Sequence, residues 1–141
     1  MFDPVMTRDE VSLFLDREFP QVRNGENLFH LERVERGLVT MHLEAGERHL
    51  RPGGTVSGPS LFALADVAAY VTILAHIGPV AAVVTTNMSI NFLRKAVPGP
   101  LRAEARLLKI GGRSAVAEVA IFSDTDEPCA HAVGTYAVPG R

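Results

Sequence analysis

Asp66 is the one charged residue in a largely apolar run from Pro59 to Ile77, counting histidine as neutral. A carboxylate in such a run is costly unless it is paired or protonated. The residues three and four positions away, Phe62, Ala63, Ala69 and Tyr70, carry no positive charge. Asp66 is therefore satisfied from another element, faces solvent, or acts as a base or nucleophile. Gly58 stands at the start of the same run. If the run is a helix, its first turn leaves backbone N–H groups free and carries positive potential. Pro59 has no N–H, but that of Gly58 survives. One such donor on a carbonyl oxygen, with one carboxylate acting toward the carbon, is enough for acyl transfer from a reactive ester. The bland reading of Gly58 is a turn residue. Ser57 supplies a hydroxyl beside the same carbonyl or caps the helix. It lacks the G-x-S-x-G setting of a serine-hydrolase nucleophile.

Other chemistries find little support. The histidines, at 30, 42, 49, 76 and 131, form no H-x-x-x-H or H-E-x-x-H pair, and Cys129 is the single cysteine. Neither a metal site nor a disulfide framework is expected, and no cofactor. The net charge is −2, so no basic field exists to hold a nucleic acid. Met1-Phe2-Asp3-Pro4 lacks the basic and apolar pattern of a secretory signal, and a cytoplasmic setting is expected.

The elements that must position these residues follow from the rest of the chain. With 141 residues, 47% of them hydrophobic, one domain is expected over 1–141. It divides into an N-terminal helical segment at 1–20 and a core at 28–138. Thr7 and Glu10 make a capping box for a helix over 7–19, ended by Pro20. Asn24-Gly25 signals a turn. Two strands are expected within 28–45, parted by Gly37, and a loop at Arg51-Pro52-Gly53-Gly54. The Ala- and Leu-rich run 59–77 reads as a helix that is buried all round. It approaches membrane-spanning length, but Asp66 at its middle favours a protein core, and no membrane partner is expected. Four strands follow: Val80–Leu93, Leu101–Ile110, Ala115–Phe122 and Ala130–Val138, with a hairpin at Gly111-Gly112-Arg113. One apolar helix is available to cover one face of the sheet. The expected architecture is α+β, a curved antiparallel sheet wrapped around one long central helix.

That layout is the hotdog fold, and the local sequence resembles the PaaI-like acyl-CoA thioesterases. Val56-Ser57-Gly58-Pro59-Ser60-Leu61-Phe62-Ala63-Leu64-Ala65-Asp66 is similar to the family's "V-H-G-G-x-x-F-x-L-A-D" signature. Thr85–Arg94 resembles its third strand, and Pro98-Gly99 with Leu101–Ala105 its "P-G-D-L-x-A-x-A" entry to the next. Gly111-Gly112-Arg113 and Ala130–Tyr136 are similar to its later hairpin and final strand. The resemblance covers roughly 28–138.

It implies hydrolysis of an acyl-CoA thioester to a free acid and CoA without metal or cofactor. Asp66 would be the base or nucleophile, Gly58 would polarise the carbonyl, and Thr85 would orient water. Two positions depart from the signature: its histidine is Ser57 here, and its second glycine is Pro59. The asparagine that often assists upstream is missing, with Arg51 and Pro52 in that region. These departures feed an alternative, an acyl-CoA-binding hotdog protein with little turnover. Phe62, Tyr70 and Phe92 are candidates to line the substrate pocket, and Arg94, Lys95 and Arg113 to meet the CoA phosphates. The resemblance also implies a homodimer, in many relatives a dimer of dimers.

Overall fold

The computed structural model describes residues 2–24 and 28–139. Gly25, half of the expected Asn24-Gly25 turn, lies outside them. The first helix, α1, runs Arg8–Glu18 and carries the expected capping box. Thr7 Oγ1 accepts from the Glu10 N–H, and the Glu10 carboxylate accepts from the Thr7 N–H. Val11, Phe14 and Leu15 form its buried face. A single 3-10 turn, Pro20–Val22, follows.

Strands β1 (His30–Glu35) and β2 (Leu38–Ala45) form a hairpin around Gly37, whose φ of 66° suits glycine. The central helix α2 spans Gly58–Ile77, and the last four strands are β3 (Val84–Phe92), β4 (Gly99–Ile110), β5 (Ser114–Phe122) and β6 (Pro128–Ala137). β3 is shorter than the sequence suggests. Residues 80–83 turn instead, because the Val80 N–H bonds to Gly78 and the Val83 N–H to Val80.

All neighbouring strands are antiparallel, and their order is β1-β2-β4-β5-β6-β3. The sheet wraps α2. Leu101, Ala103, Ala105 and Leu107 of β4 and Ala115, Ala117, Val119 and Ile121 of β5 face it and are buried. Ala65, Ala68, Ala69 and Ala75 return the favour from the helix. With no tryptophan and 6% aromatics, this core gains its contacts by close approach of small side chains rather than by large rings. By length and composition α2 could cross a membrane, yet most of it is enclosed by its own sheet. Its buried polar groups are satisfied: Thr72 donates to the Ala105 carbonyl, and His76 bonds the Thr72 carbonyl and accepts from the Gly37 N–H.

β3 differs from the other strands. It closes one end of the sheet, pairs among the described residues only with β6, and leaves most of its residues exposed. Val84, Phe92 and Leu93 are at least half exposed, and Phe62 on α2 is 37% exposed.

Candidate active site

Asp66 sits on the third turn of α2 and is neither fully buried nor free. Its Oδ1 accepts two hydrogen bonds of 2.7 Å, one from the Thr85 hydroxyl and one from the Tyr136 hydroxyl. Two neutral donors from other elements thus satisfy one of its oxygens. Charge-assisted hydrogen bonds of this kind offset the loss of water around a carboxylate.

The sheet register explains why both hydroxyls arrive together. Thr85 on β3 stands directly opposite Tyr136 on β6, and Met88 opposite Gly134. Strict alternation would put Thr85 and Met88 on opposite faces. A bulge between Thr85 and Asn87 adds a residue and turns Thr85 inward. The backbone irregularity therefore re-aims one hydroxyl at Asp66. Gly134 makes room for the other: a Cβ there would lie 2.6 Å from Met88 Cε and 2.9 Å from Tyr136 Cε1.

Tyr136 is fully shielded as a residue. Burial, and then the adjacent Asp66 carboxylate, push its hydroxyl well above the ordinary tyrosine range. It stays a proton donor at any working pH.

Asp66 and Thr85 open onto a cleft of about 430 Å³ whose other walls include Val67, Tyr70, Val83 and Val84. The end of α1 completes it through Glu18 and Phe19. The Phe19 ring meets Tyr70 edge-on, 5.8 Å between centroids. The Tyr70 hydroxyl donates to the Ala81 carbonyl, and burial, then the charge of Glu18, raises its pKa.

Gly58 lies in a second cleft, also about 430 Å³, with Arg51, Leu61, Phe92, Arg94 and Lys95. Ser57 is the N-cap: its Oγ accepts from the Ser60 N–H and donates to Ser60 Oγ. The Leu61 N–H bonds to the Ser57 carbonyl. The Gly58 N–H bonds to no described residue, so it is the free donor of this helix start. The tip of the Phe92 ring packs against the glycine, its Cζ 3.2 Å from where a Cβ would be.

The structure thus divides the expected site residues between two places. Asp66, Thr85 and Tyr70 share one cleft; Gly58, Phe92, Arg94 and Lys95 share the other. Ser57 has its hydroxyl committed to the cap. Phe62 and Arg113 line neither cleft. Arg94 is held by Glu127 and the Pro128 carbonyl, whereas Lys95 and Arg51 have no side-chain partner among the described residues. Among the described residues no group of His, Cys, Asp and Glu could hold a metal ion. Tyr136, Glu18 and Phe19 escape the sequence reading. For Tyr136 a signal existed: a tyrosine on an otherwise apolar strand needs a partner for its hydroxyl.

A family model described as the thioesterase superfamily matches residues 53–130, which hold Gly58, Asp66 and Thr85. The chain belongs to the thioesterase superfamily. A crystal structure from Silicibacter sp. TM1040, provisionally named a thioesterase, is 45% identical, with a TM-score of 0.87 over 98% of this chain and 95% of that one. Another, from Ralstonia eutropha JMP134, is provisionally named a thioesterase related to phenylacetic acid degradation. It is 27% identical with a TM-score of 0.80, covering 91% of this chain and 98% of its own. A Saccharolobus solfataricus protein provisionally named an esterase is 27% identical over 96% of this chain and 87% of its own. This thioesterase-superfamily chain is a thioester hydrolase with the PaaI-like hotdog fold that its signature implied.

Proposed function

We propose that the chain hydrolyses acyl-CoA thioesters at sites shared by two copies, Asp66 acting from one and Gly58 from the other. The observation that carries this is the Asp66 carboxylate, anchored by two hydroxyls at the wall of an apolar cleft. The acyl group enters that cleft. The thioester oxygen sits on the Gly58 N–H of the second copy, where negative charge develops as the carbonyl is attacked. Asp66 removes a proton from water, whose oxygen bonds to the carbonyl carbon, or its oxygen attacks that carbon directly and water later releases the acyl group. In both cases the C–S bond breaks, CoA leaves as a thiol after taking a proton, and a free acid remains. Lys95 and Arg51, both without side-chain partners among the described residues, stand beside Gly58 to meet the CoA phosphates.

The unpaired edge of β3 supports the assembly. Edge strands left open invite a second chain. If two copies pair antiparallel through β3 about a two-fold axis near Met88 and Ser89, Thr85 of one comes beside the other's Phe92. The two kinds of cleft then meet twice, once at each end of the joined strands.

The test is thiol release from a panel of acyl-CoAs, with Asp66→Asn as the control. Asn keeps the volume and loses the proton-accepting oxygen. Turnover should appear for part of the panel and fall at least about 100-fold in the variant. Tight acyl-CoA binding with no thiol released by the unaltered protein would make the chain a binder.

A further inference from the structure

The two Asp66 oxygens have unequal surroundings. Both donated hydrogen bonds fall on Oδ1. Oδ2 receives none from any described residue. The Tyr136 hydroxyl also lies 3.0 Å from the Asp66 backbone carbonyl, so it touches the residue's main chain and side chain at once. We infer that Tyr136 is a positioning residue: it locks Oδ1 and leaves Oδ2 to do the chemistry. The inference rests on the reading of Asp66 as the reacting carboxylate.

Three features make Tyr136 suited to this. Its ring is fully buried and cannot swing away. Its proton is held against loss by burial and by the carboxylate itself. It comes from β6, paired on both sides within one chain, whereas Thr85 comes from β3, which its own chain pairs on one side. A carboxylate held only by Thr85 would depend on a strand that its own chain supports on one side. With Tyr136 it is tied to the core, and the Oδ2 lone pairs point in one direction. Reacting groups held in one orientation contribute rate that a freely rotating group does not.

The experiment is Tyr136→Phe, which removes the hydroxyl and keeps the ring. Two readouts are needed. In acyl-CoA hydrolysis, kcat should fall about tenfold with KM within about twofold. Independently of turnover, the ¹³C signal of the Asp66 carboxyl, assigned with Asp66→Asn, should move and broaden in Tyr136→Phe, the mark of a carboxylate that has lost a donor and turns more freely. A lowered melting temperature with the carboxyl signal and kcat unchanged would overturn the inference, reducing Tyr136 to a packing residue. If the unaltered protein releases no thiol from any acyl-CoA, the reading of function fails, and the carboxyl signal still decides whether Tyr136 holds Asp66.

Discussion

Thr85 and Tyr136 face each other across two hydrogen-bonded strands, and both donate to the same oxygen of Asp66. One donor is exposed and one is buried, so the two are separable by mutation. Each hydroxyl can be removed while its strand position stays filled.

Thr85→Val keeps the β-branched shape and removes the donor. Because Thr85 is exposed within its own chain, the stability of one copy's fold should change little. We expect kcat to fall about tenfold while KM holds, the signature of a group that acts after substrate is bound. Steady-state kinetics on one good acyl-CoA checks it. An unchanged kcat would remove Thr85 from the machinery.

The pair also shows how far the sequence could be read. The long helix, the hairpins and the polar-apolar alternation of β4 are visible because periodicity and breakers act locally. Asp66 and Gly58 stand out for the same reason: each conflicts with or punctuates its own segment. Tyr136 signals only that its hydroxyl needs a partner; which partner depends on lying opposite Thr85, and that depends on register. The bulge at Thr85 depends on β6 as well, and no local pattern announces it. Arg94 and Lys95 are adjacent and alike in charge, yet Glu127 arrives from the β5–β6 connection to take one and leave the other.

Gly134→Ala should act on Asp66 at a distance. The added methyl would collide with Met88 Cε and the Tyr136 ring. Met88 can move its flexible end, whereas the ring can shift only by loosening its hydroxyl from Asp66. Overpacking of this kind costs about 1–3 kcal/mol, readable in urea unfolding. The kcat should fall as well, and the double variant with Tyr136→Phe should lose less than the two single losses combined, because both act on one hydrogen bond. A kcat within about twofold of the unaltered protein would mean that Met88 alone gives way.

Lys95→Ala addresses CoA recognition. Lys95 has no side-chain partner among the described residues, so its removal should spare the fold. KM for an acyl-CoA should rise several-fold with kcat unchanged, and the effect should shrink as salt is added. A thioester of the same acyl group on a short, phosphate-free thiol should be hydrolysed equally by both proteins. Equal loss on both substrates would place Lys95 elsewhere in the mechanism.

The strongest prediction concerns assembly. Gly58 and Asp66 are eight residues apart on one regular helix, about 12 Å along its axis at 1.5 Å per residue. A thioester whose oxygen is about 3 Å from a donor has its carbon about the same distance from the attacking group. One chain's pair cannot span that geometry, and in this structure the two residues open into different clefts. Two chains can, if each supplies half of each site. Asp66→Asn breaks one half, and Gly58→Pro removes the N–H and displaces Phe92 from the other. Each variant alone should be nearly inactive. A mixed dimer, isolated through two different tags after co-expression, carries one site with both defects and one with neither. It should recover about half the activity of the unaltered dimer, since an isologous interface makes two equivalent sites. An active monomer, or a correctly folded mixed dimer without activity, would defeat the shared site.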